Sequence, residues 1–318
     1  MFELATSLKS GVEVITLKDG SSGNFAEVIP ACGGILHSFN VFHDGAFMNV
    51  IDNYEDPIDF QENVTHKGFK GCKLSPFVCR LNNSQYHFGE KDLVTRKFRL
   101  GKHAIHGLLY DASFIITGQG ATETGAWVAM SYAYRGEDEG YPFSYDCEIT
   151  YRLEAGNSLN VSTTIINKDQ GLLPMQDGWH PYFKFDSKID DLQLEFQSKE
   201  IVVFDEELLP TGELKRYEEF GSLKQIGSLE VDHCFTVNFA ECQPLCVLRH
   251  PGKRIQLEIF PGNSYPYLQV YTPPHRNSIA IENLSGAPDS FNNSMGLIVM
   301  QPGEQKTFST TYKITSLN

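Results

Sequence analysis

Hydrophobic and polar residues alternate with a period of two along much of this chain. From Tyr145 the chain reads YDCEITYRL, in which Tyr145, Cys147, Ile149, Tyr151 and Leu153 alternate with Asp146, Glu148, Thr150 and Arg152. Successive side chains of an extended strand point to opposite faces, so this pattern sets an apolar row against a core and a polar row away from it. EAGNS follows as a turn, and LNVSTTII then alternates again. Periodicity and turn residues together predict a hairpin. Further strands are expected at Val12–Leu17, Phe25–Ile29, Ile35–His43, Gln193–Phe196, Gln256–Phe260, Tyr267–Tyr271, Ser278–Ile281 and Thr307–Ile314.

Turn signals interrupt these runs at Asp19-Gly20, Asp44-Gly45, Pro251-Gly252, Pro261-Gly262 and Pro302-Gly303. No stretch of helix length is amphipathic; the segment GELKRYEEFGSLKQIGSL is expected to hold a short helical turn or two. No linker, repeat or low-complexity tract divides the chain. The expectation is one all-β domain over residues 1–318, a large antiparallel sandwich or barrel without βαβ units.

Composition narrows the function. Hydrophobic residues make up 41% of the chain, enough for a core that needs no disulfide staples. The formal net charge of -14 would repel a polyanion, so nucleic acid is excluded as a partner. Between His66 and Lys102 the balance reverses, with nine Lys or Arg residues against Glu90 and Asp92. That stretch reads either as a solvated strand face or as a field drawing an anionic substrate such as a sugar phosphate. The seven cysteines include a C-x-x-x-C spacing at Cys242 and Cys246 but no zinc-finger pattern, and free thiols in a reducing compartment are expected. MFELATSLKSG has no apolar core of a signal peptide, and no apolar run approaches membrane-spanning length. A cytoplasmic protein with no membrane partner, monomeric or weakly dimeric, is the expectation.

Nucleotide-binding, dinucleotide-binding, zinc-protease and serine-hydrolase motifs are all absent. What stands out is a set of polar residues beside apolar and aromatic ones. Arg80 follows the apolar run FVC; such an arginine is either a snorkelling surface residue or a functional cation. His106 precedes Gly107 in AIHGLLYD, where a lone histidine is either structural or a ligand-binding group. His180 lies between Trp179 and Pro181-Tyr182-Phe183, and aromatics around one histidine suit the stacking of sugar C–H faces. Asp232 in VDHCF is a turn residue or a ligand to a sugar hydroxyl. Glu282 ends the strand Ser278–Ile281 before a loop rich in Gly, Pro, Asn and Asp. There it is either water-exposed or partly desolvated, with a raised pKa that suits a general base near neutral pH.

The order CRL, IHG, HPYF, VDHCF and AIEN, ending in MQPGE before a final strand, resembles the aldose 1-epimerase (galactose mutarotase-like) family from about residue 25 to 314. HPYF, and IEN followed by APDSFN, are the more specific parts. The resemblance implies a β-supersandwich that opens and recloses the hemiacetal of a free aldose without cofactor or metal, a small monosaccharide being the partner. It implies Glu282 as general base, His180 as general acid, and Arg80, His106 and Asp232 as holders of sugar hydroxyls, with Trp179 expected on the pocket wall. Two departures mark a divergent branch. Gly107-Leu108 stands where the better known members have a doubled glycine, and MQDGWHPYF replaces an Asn-rich approach to the second histidine. The alternatives carried forward are a hexose-6-phosphate 1-epimerase and a non-catalytic carbohydrate-binding module.

Overall fold

The computed structural model describes residues 1–241 and 243–317; Cys242, half of the C-x-x-x-C spacing, lies outside the described residues. The hairpin expected from the alternation is present as Ser144–Glu154 against Ser158–Asn167, with Tyr145 opposite Asn167 and Glu154 opposite Ser158. Tyr145, Cys147, Ile149, Tyr151 and Leu153 are all buried, while Glu148 is exposed. One buried row and one wetter row fix the register, because a slip of one residue would turn the apolar row into water.

This hairpin belongs to a nine-stranded sheet whose centre is held by the chain's last strand. Gln305–Ser316 pairs on one side with Ser158–Asn167 and on the other with Ile255–Pro261. The two halves of the sheet, one from residues 115–167 and one from residues 193–261, are therefore joined only when the chain's last strand is in place. A second, eight-stranded sheet runs Pro210–Arg216, Ser198–Phe204, Asp232–Val237, Tyr267–Tyr271, Ile279–Leu284, Gly178–Trp179 and Lys73–Leu74, with Tyr182–Phe183 also paired to Ile279–Leu284. The N-terminal residues form a five-stranded meander from Phe2 to Asn49. All these ladders are antiparallel; a parallel link occurs as an isolated bridge between Ser75 and Gly107. One apolar core, from Phe2 to Ile314, runs through the sheets.

Two expectations are corrected. Residues 212–229 contain no helix among the described residues: Pro210–Arg216 is a strand paired with Ser198–Phe204, and Lys224–Gln225 adds to the edge of the large sheet. Phe220, buried between them, anchors the segment, and tertiary pairing overrides the helical propensity of its Glu and Lys residues. The second correction concerns Glu282, which lies inside the strand Ile279–Leu284 and not at its end. Among the described residues two short α-helices occur, Pro57–Asn63 and Ser290–Asn293. The first is capped by Asp56, whose carboxylate accepts from the Asp59 amide at 2.9 Å, with Pro57 at its first turn. The six described cysteines are buried free thiols.

His106 and Gly107 both adopt positive φ, at 63° and 75°. A Cβ on Gly107 would sit 2.3 Å from the Ser75 carbonyl oxygen, which itself accepts hydrogen bonds from the Leu108 and Leu109 amides. Leu108 is not among the positive-φ residues and is buried in the core. Gly107→Ala is therefore expected to cost about 2 kcal/mol or more in chemical denaturation, from left-handed strain added to a backbone clash that no side-chain rotation relieves.

Candidate active site

The site is assembled on the strand Ile279–Leu284, all six of whose side chains are buried. It is paired on both flanks, to Tyr267–Tyr271 on one side and to Gly178 and Tyr182–Phe183 on the other. Directly opposed residues share a face, so the register Cys234–Gln269–Glu282 sets those three side chains in one row, with Asp232, Tyr271 and Ala280 in the next. His180 reaches the same place from the interruption between Trp179 and Tyr182. Its amide donates to the Cys72 carbonyl at 3.0 Å, and its carbonyl accepts from the Gly71 amide at 2.8 Å. This reciprocal pair fixes the backbone that carries the imidazole.

Arg80 and His106 come from a short ladder in which Arg80 pairs with Ile105. The His106 amide donates to the Cys79 carbonyl at 2.9 Å. The loop after Glu282 supports the same ladder: the Asp289 amide donates to the Arg80 carbonyl at 2.8 Å, and the Asp289 carboxylate accepts from the Asn82 amide at 2.8 Å. The segments CRL and APDSFN are thus physically one unit.

Arg80, His106, His180, Asp232 and Glu282 all line a single cavity of about 220 Å³. His180 Nε2 lies 3.5 Å from Glu282 Oε1, and the rings of His106 and His180 meet edge to face at 4.7 Å. Asp232 accepts from the Gln269 amide nitrogen at 2.7 Å. Among the described residues Arg80 is the one Lys or Arg on the wall. Four buried polar atoms here have no partner: His106 Nδ1, His180 Nδ1, Gln269 Oε1 and Glu282 Oε2. Buried polar atoms are ordinarily paired, so four in one small cavity describe a surface shaped for a ligand rich in hydrogen-bonding groups.

Trp179 does not join them, which corrects its expected place on the pocket wall. It faces a separate small apolar recess with Leu36, Tyr151 and Tyr312, and its ring lies 4.5 Å from Lys73 Nζ. Neighbours along an extended chain point oppositely, so a His180 aimed into the cavity sends Trp179 the other way. The aromatic wall is instead Tyr182, stacked on His180 at 5.1 Å, together with Tyr271 and Phe69. Gln269 and Tyr271 carried a faint sequence signal as polar positions in an otherwise apolar strand; nothing local marked Tyr182 above Trp179. Asp177, two residues before Trp179, is buried against Lys73 at 2.6 Å and accepts from the Tyr265 hydroxyl at 2.7 Å.

The protonation states follow from dryness. Burial pushes the Glu282 carboxyl well above its ordinary range, and the nearby Asp232 carboxylate pushes the same way. Burial lowers the His180 imidazole to about 4. The 3.5 Å contact has ion-pair geometry, yet burial opposes charge on both partners. At His180 the loss of solvation outweighs a backbone hydrogen bond that acts the other way. His106 is also held neutral, by burial and then by His180 and Arg80. Burial raises Asp232, and Arg80 partly offsets this.

Most of the basic stretch resolves into separate pairs. Lys67 meets Asp59 at 2.6 Å, Lys70 meets Asp52 at 2.7 Å, Arg96 meets Glu139 at 2.9 Å and Lys102 meets Glu207 at 2.8 Å, while Lys97 pairs with Asp111. Among the described residues no group of three or more His, Cys, Asp or Glu is placed to hold a metal ion, and no helix is long and apolar enough to cross a membrane.

Known proteins share this architecture. The structure superposes on a galactose mutarotase-like protein from Clostridium acetobutylicum with a TM-score of 0.89 at 17% identity, over 99% of each chain. It superposes on a galactose 1-epimerase from Lactobacillus acidophilus with a TM-score of 0.82 at 18% identity, over 100% of this chain and 99% of that one. The fold is therefore the galactose mutarotase-like antiparallel β-supersandwich. In sequence, an aldose 1-epimerase of Haemophilus influenzae is 25% identical over 263 residues, 74% of this chain and 72% of its own. The family model for aldose 1-epimerase matches residues 13–313, and on that match the chain belongs to the aldose 1-epimerase family.

Proposed function

We propose that this protein interconverts the α and β anomers of a neutral free aldose, with one proton held between Glu282 and His180. The observation that carries the reading is their 3.5 Å contact at the wall of a cavity of about 220 Å³, large enough for one pyranose. Anomerisation removes a proton from the C1 hydroxyl and delivers one to the ring oxygen. The two oxygens are bonded to the same carbon, so the groups that serve them must sit side by side, as these do. Ring opening gives the aldehyde, rotation about C1–C2 exposes the other face, and the reverse transfers close the ring. No hydride, phosphoryl or acyl group moves.

Such a cycle needs one proton in the pair and not two or none. A dry cavity enforces this. Two protons would leave an uncompensated imidazolium, and none would leave a carboxylate facing Asp232. Transfer of the shared proton from Glu282 to His180 primes the first as base and the second as acid. Taking up the C1 proton and giving one to the ring oxygen then returns the pair to its neutral form. Arg80 offers donors to a substrate oxygen. Asp232 and Gln269 offer acceptors, and His106 a neutral ring that both donates and accepts.

A neutral sugar is favoured over a sugar phosphate because the basic residues of the stretch from His66 to Lys102 are largely matched with acids, leaving Arg80 alone on the wall and opposed by Asp232. Catalysis is favoured over simple carbohydrate binding because a buried carboxyl–imidazole contact burdens the fold, and a binding module has no use for it.

Glu282→Gln and His180→Asn are each expected to lower kcat by about a hundredfold or more in a polarimetric anomerisation assay on glucose and galactose, the size of a positioned acid or base. Wild-type turnover in either variant rules out its assigned role. Arg80→Ala and His106→Asn are expected to raise KM by about tenfold as well as slowing turnover, since each removes a hydrogen bond in a water-poor site. Unchanged kinetics remove the residue from the site.

The raised pKa of Glu282 also predicts a stability effect with a definite sign. Above the ordinary carboxyl pKa the unfolded chain ionises Glu282 while the native chain keeps it protonated. This group therefore lowers stability progressively as pH rises from about 4.5 towards its native value. Glu282→Gln removes that burden and is expected to raise Tm at pH 7 by about 2 °C or more, with less gain at pH 5, in scanning calorimetry.

A further inference from the structure

Residues 177–180, which end on the imidazole of the proposed acid, are held on two sides. On one side the strand Lys73–Leu74 aligns them. Trp179 pairs with Lys73 and Gly178 with Leu74, and the backbone bonds of His180 to Gly71 and Cys72 continue the same alignment. On the other side they are tied to the chain just after Glu282. The Asp177 amide donates to the Ser285 hydroxyl at 2.8 Å, and the Ser285 amide donates to the Asp177 carbonyl at 2.9 Å. Gly178 packs so closely there that a Cβ would lie 2.6 Å from Leu284 Cδ2. At this junction stands Lys73, wholly buried. Its ammonium donates to the Asp177 carboxylate at 2.6 Å and to the Gly178 carbonyl at 3.0 Å, and it lies 4.5 Å from the centre of the Trp179 ring. One cation thus engages three consecutive residues, the three that precede His180.

We propose that Lys73, with Asp177 as its counter-ion, is a positioning residue that sets the imidazole of His180 against the carboxyl of Glu282. This rests on the anomerase reading above and adds to it two residues that do not line the cavity. Stability alone does not account for the pair. Buried ions lose their hydration, and apolar residues of the same volume often hold a fold as well or better. The partners along these strands, Leu74, Trp179 and Leu284, are themselves apolar and buried. What apolar packing supplies poorly is direction. Charge-assisted hydrogen bonds fix distance and angle together, whereas apolar contacts tolerate small slides. A slide matters here because the proposed proton transfer spans a 3.5 Å contact. Misplacing a reacting group by about 1 Å can cost on the order of a hundredfold in rate. Tyr265 completes the device, since its hydroxyl donates at 2.7 Å to the same carboxylate oxygen, Asp177 Oδ2, that meets Lys73.

The test replaces the polar cluster by apolar residues of similar shape, in Lys73→Met/Asp177→Leu/Tyr265→Phe, and measures Tm, kcat and KM on glucose and galactose beside wild type. The triple variant is expected to melt within about 3 °C of wild type or above it. Its kcat is expected to fall by about tenfold or more with KM within about twofold, because the cavity wall is untouched and only the spacing of the proton-transfer pair is loosened. A pair that served stability alone would give the opposite result, with turnover returning once stability is restored. Wild-type kcat in the folded triple variant therefore overturns the positioning role, as does a loss confined to KM, and either leaves the anomerase reading standing. Should the triple variant not fold, Tyr265→Phe decides, since it removes one hydrogen bond to Asp177 and only an oxygen atom. A kcat lowered by about threefold at constant KM then supports the role, and an unchanged kcat overturns it. Wild type inactive on every sugar overturns the anomerase reading itself, and the positioning role falls with it.

Discussion

The structure turns on a carboxyl and an imidazole held in contact with both side chains almost wholly buried. Glu282 sits in a strand paired on both sides, and His180 is fixed by two backbone bonds to Gly71 and Cys72, so neither can retreat to solvent. In water at mildly acidic pH the two would carry opposite charges and be screened. Here the loss of solvation opposes both charges across a 3.5 Å contact. The proposed chemistry and the stability burden of Glu282 both stem from that burial.

Holding such a pair requires a frame built from distant parts of the chain. The ladder carrying Arg80 and His106 is bonded to the loop after Glu282 through Asp289, and the Ser75 carbonyl packs against Gly107 so closely that no side chain fits there. Behind His180, Lys73 and Asp177 form a fully buried pair joined by Tyr265. Breaking such a pair on one side leaves an uncompensated buried charge, so it confers rigidity on the strand segment that precedes His180. The last strand locks the whole by occupying the centre of the nine-stranded sheet.

Charge in this protein is local. The chain is strongly acidic as a whole, yet each lysine near the cavity has its own acid, and the cavity wall carries Arg80 against Asp232. A ligand arriving here meets paired dipoles and unpartnered hydrogen-bonding atoms in place of a net field.

How much of this was legible in the sequence follows from the range of the interactions. The hairpin at residues 144–167 and the strands Phe25–Ile29, Ile35–His43, Gln193–Phe196 and Tyr267–Tyr271 could be read from alternation, because strand burial is a property of neighbours two residues apart. The series of short motifs singled out Arg80, His106, His180, Asp232 and Glu282, and the fold brings all five to one cavity. The side chosen by Trp179, the burial of Glu282 in mid-strand and the strand in place of helical turns after Pro210 were not legible, since each is set by pairing with residues far along the chain. The sequence determined which residues could alternate, turn and carry protons. Only the tertiary structure decided which of them share a face and how dry that face is, because register and solvent exclusion are properties of strands that meet, not of any one strand.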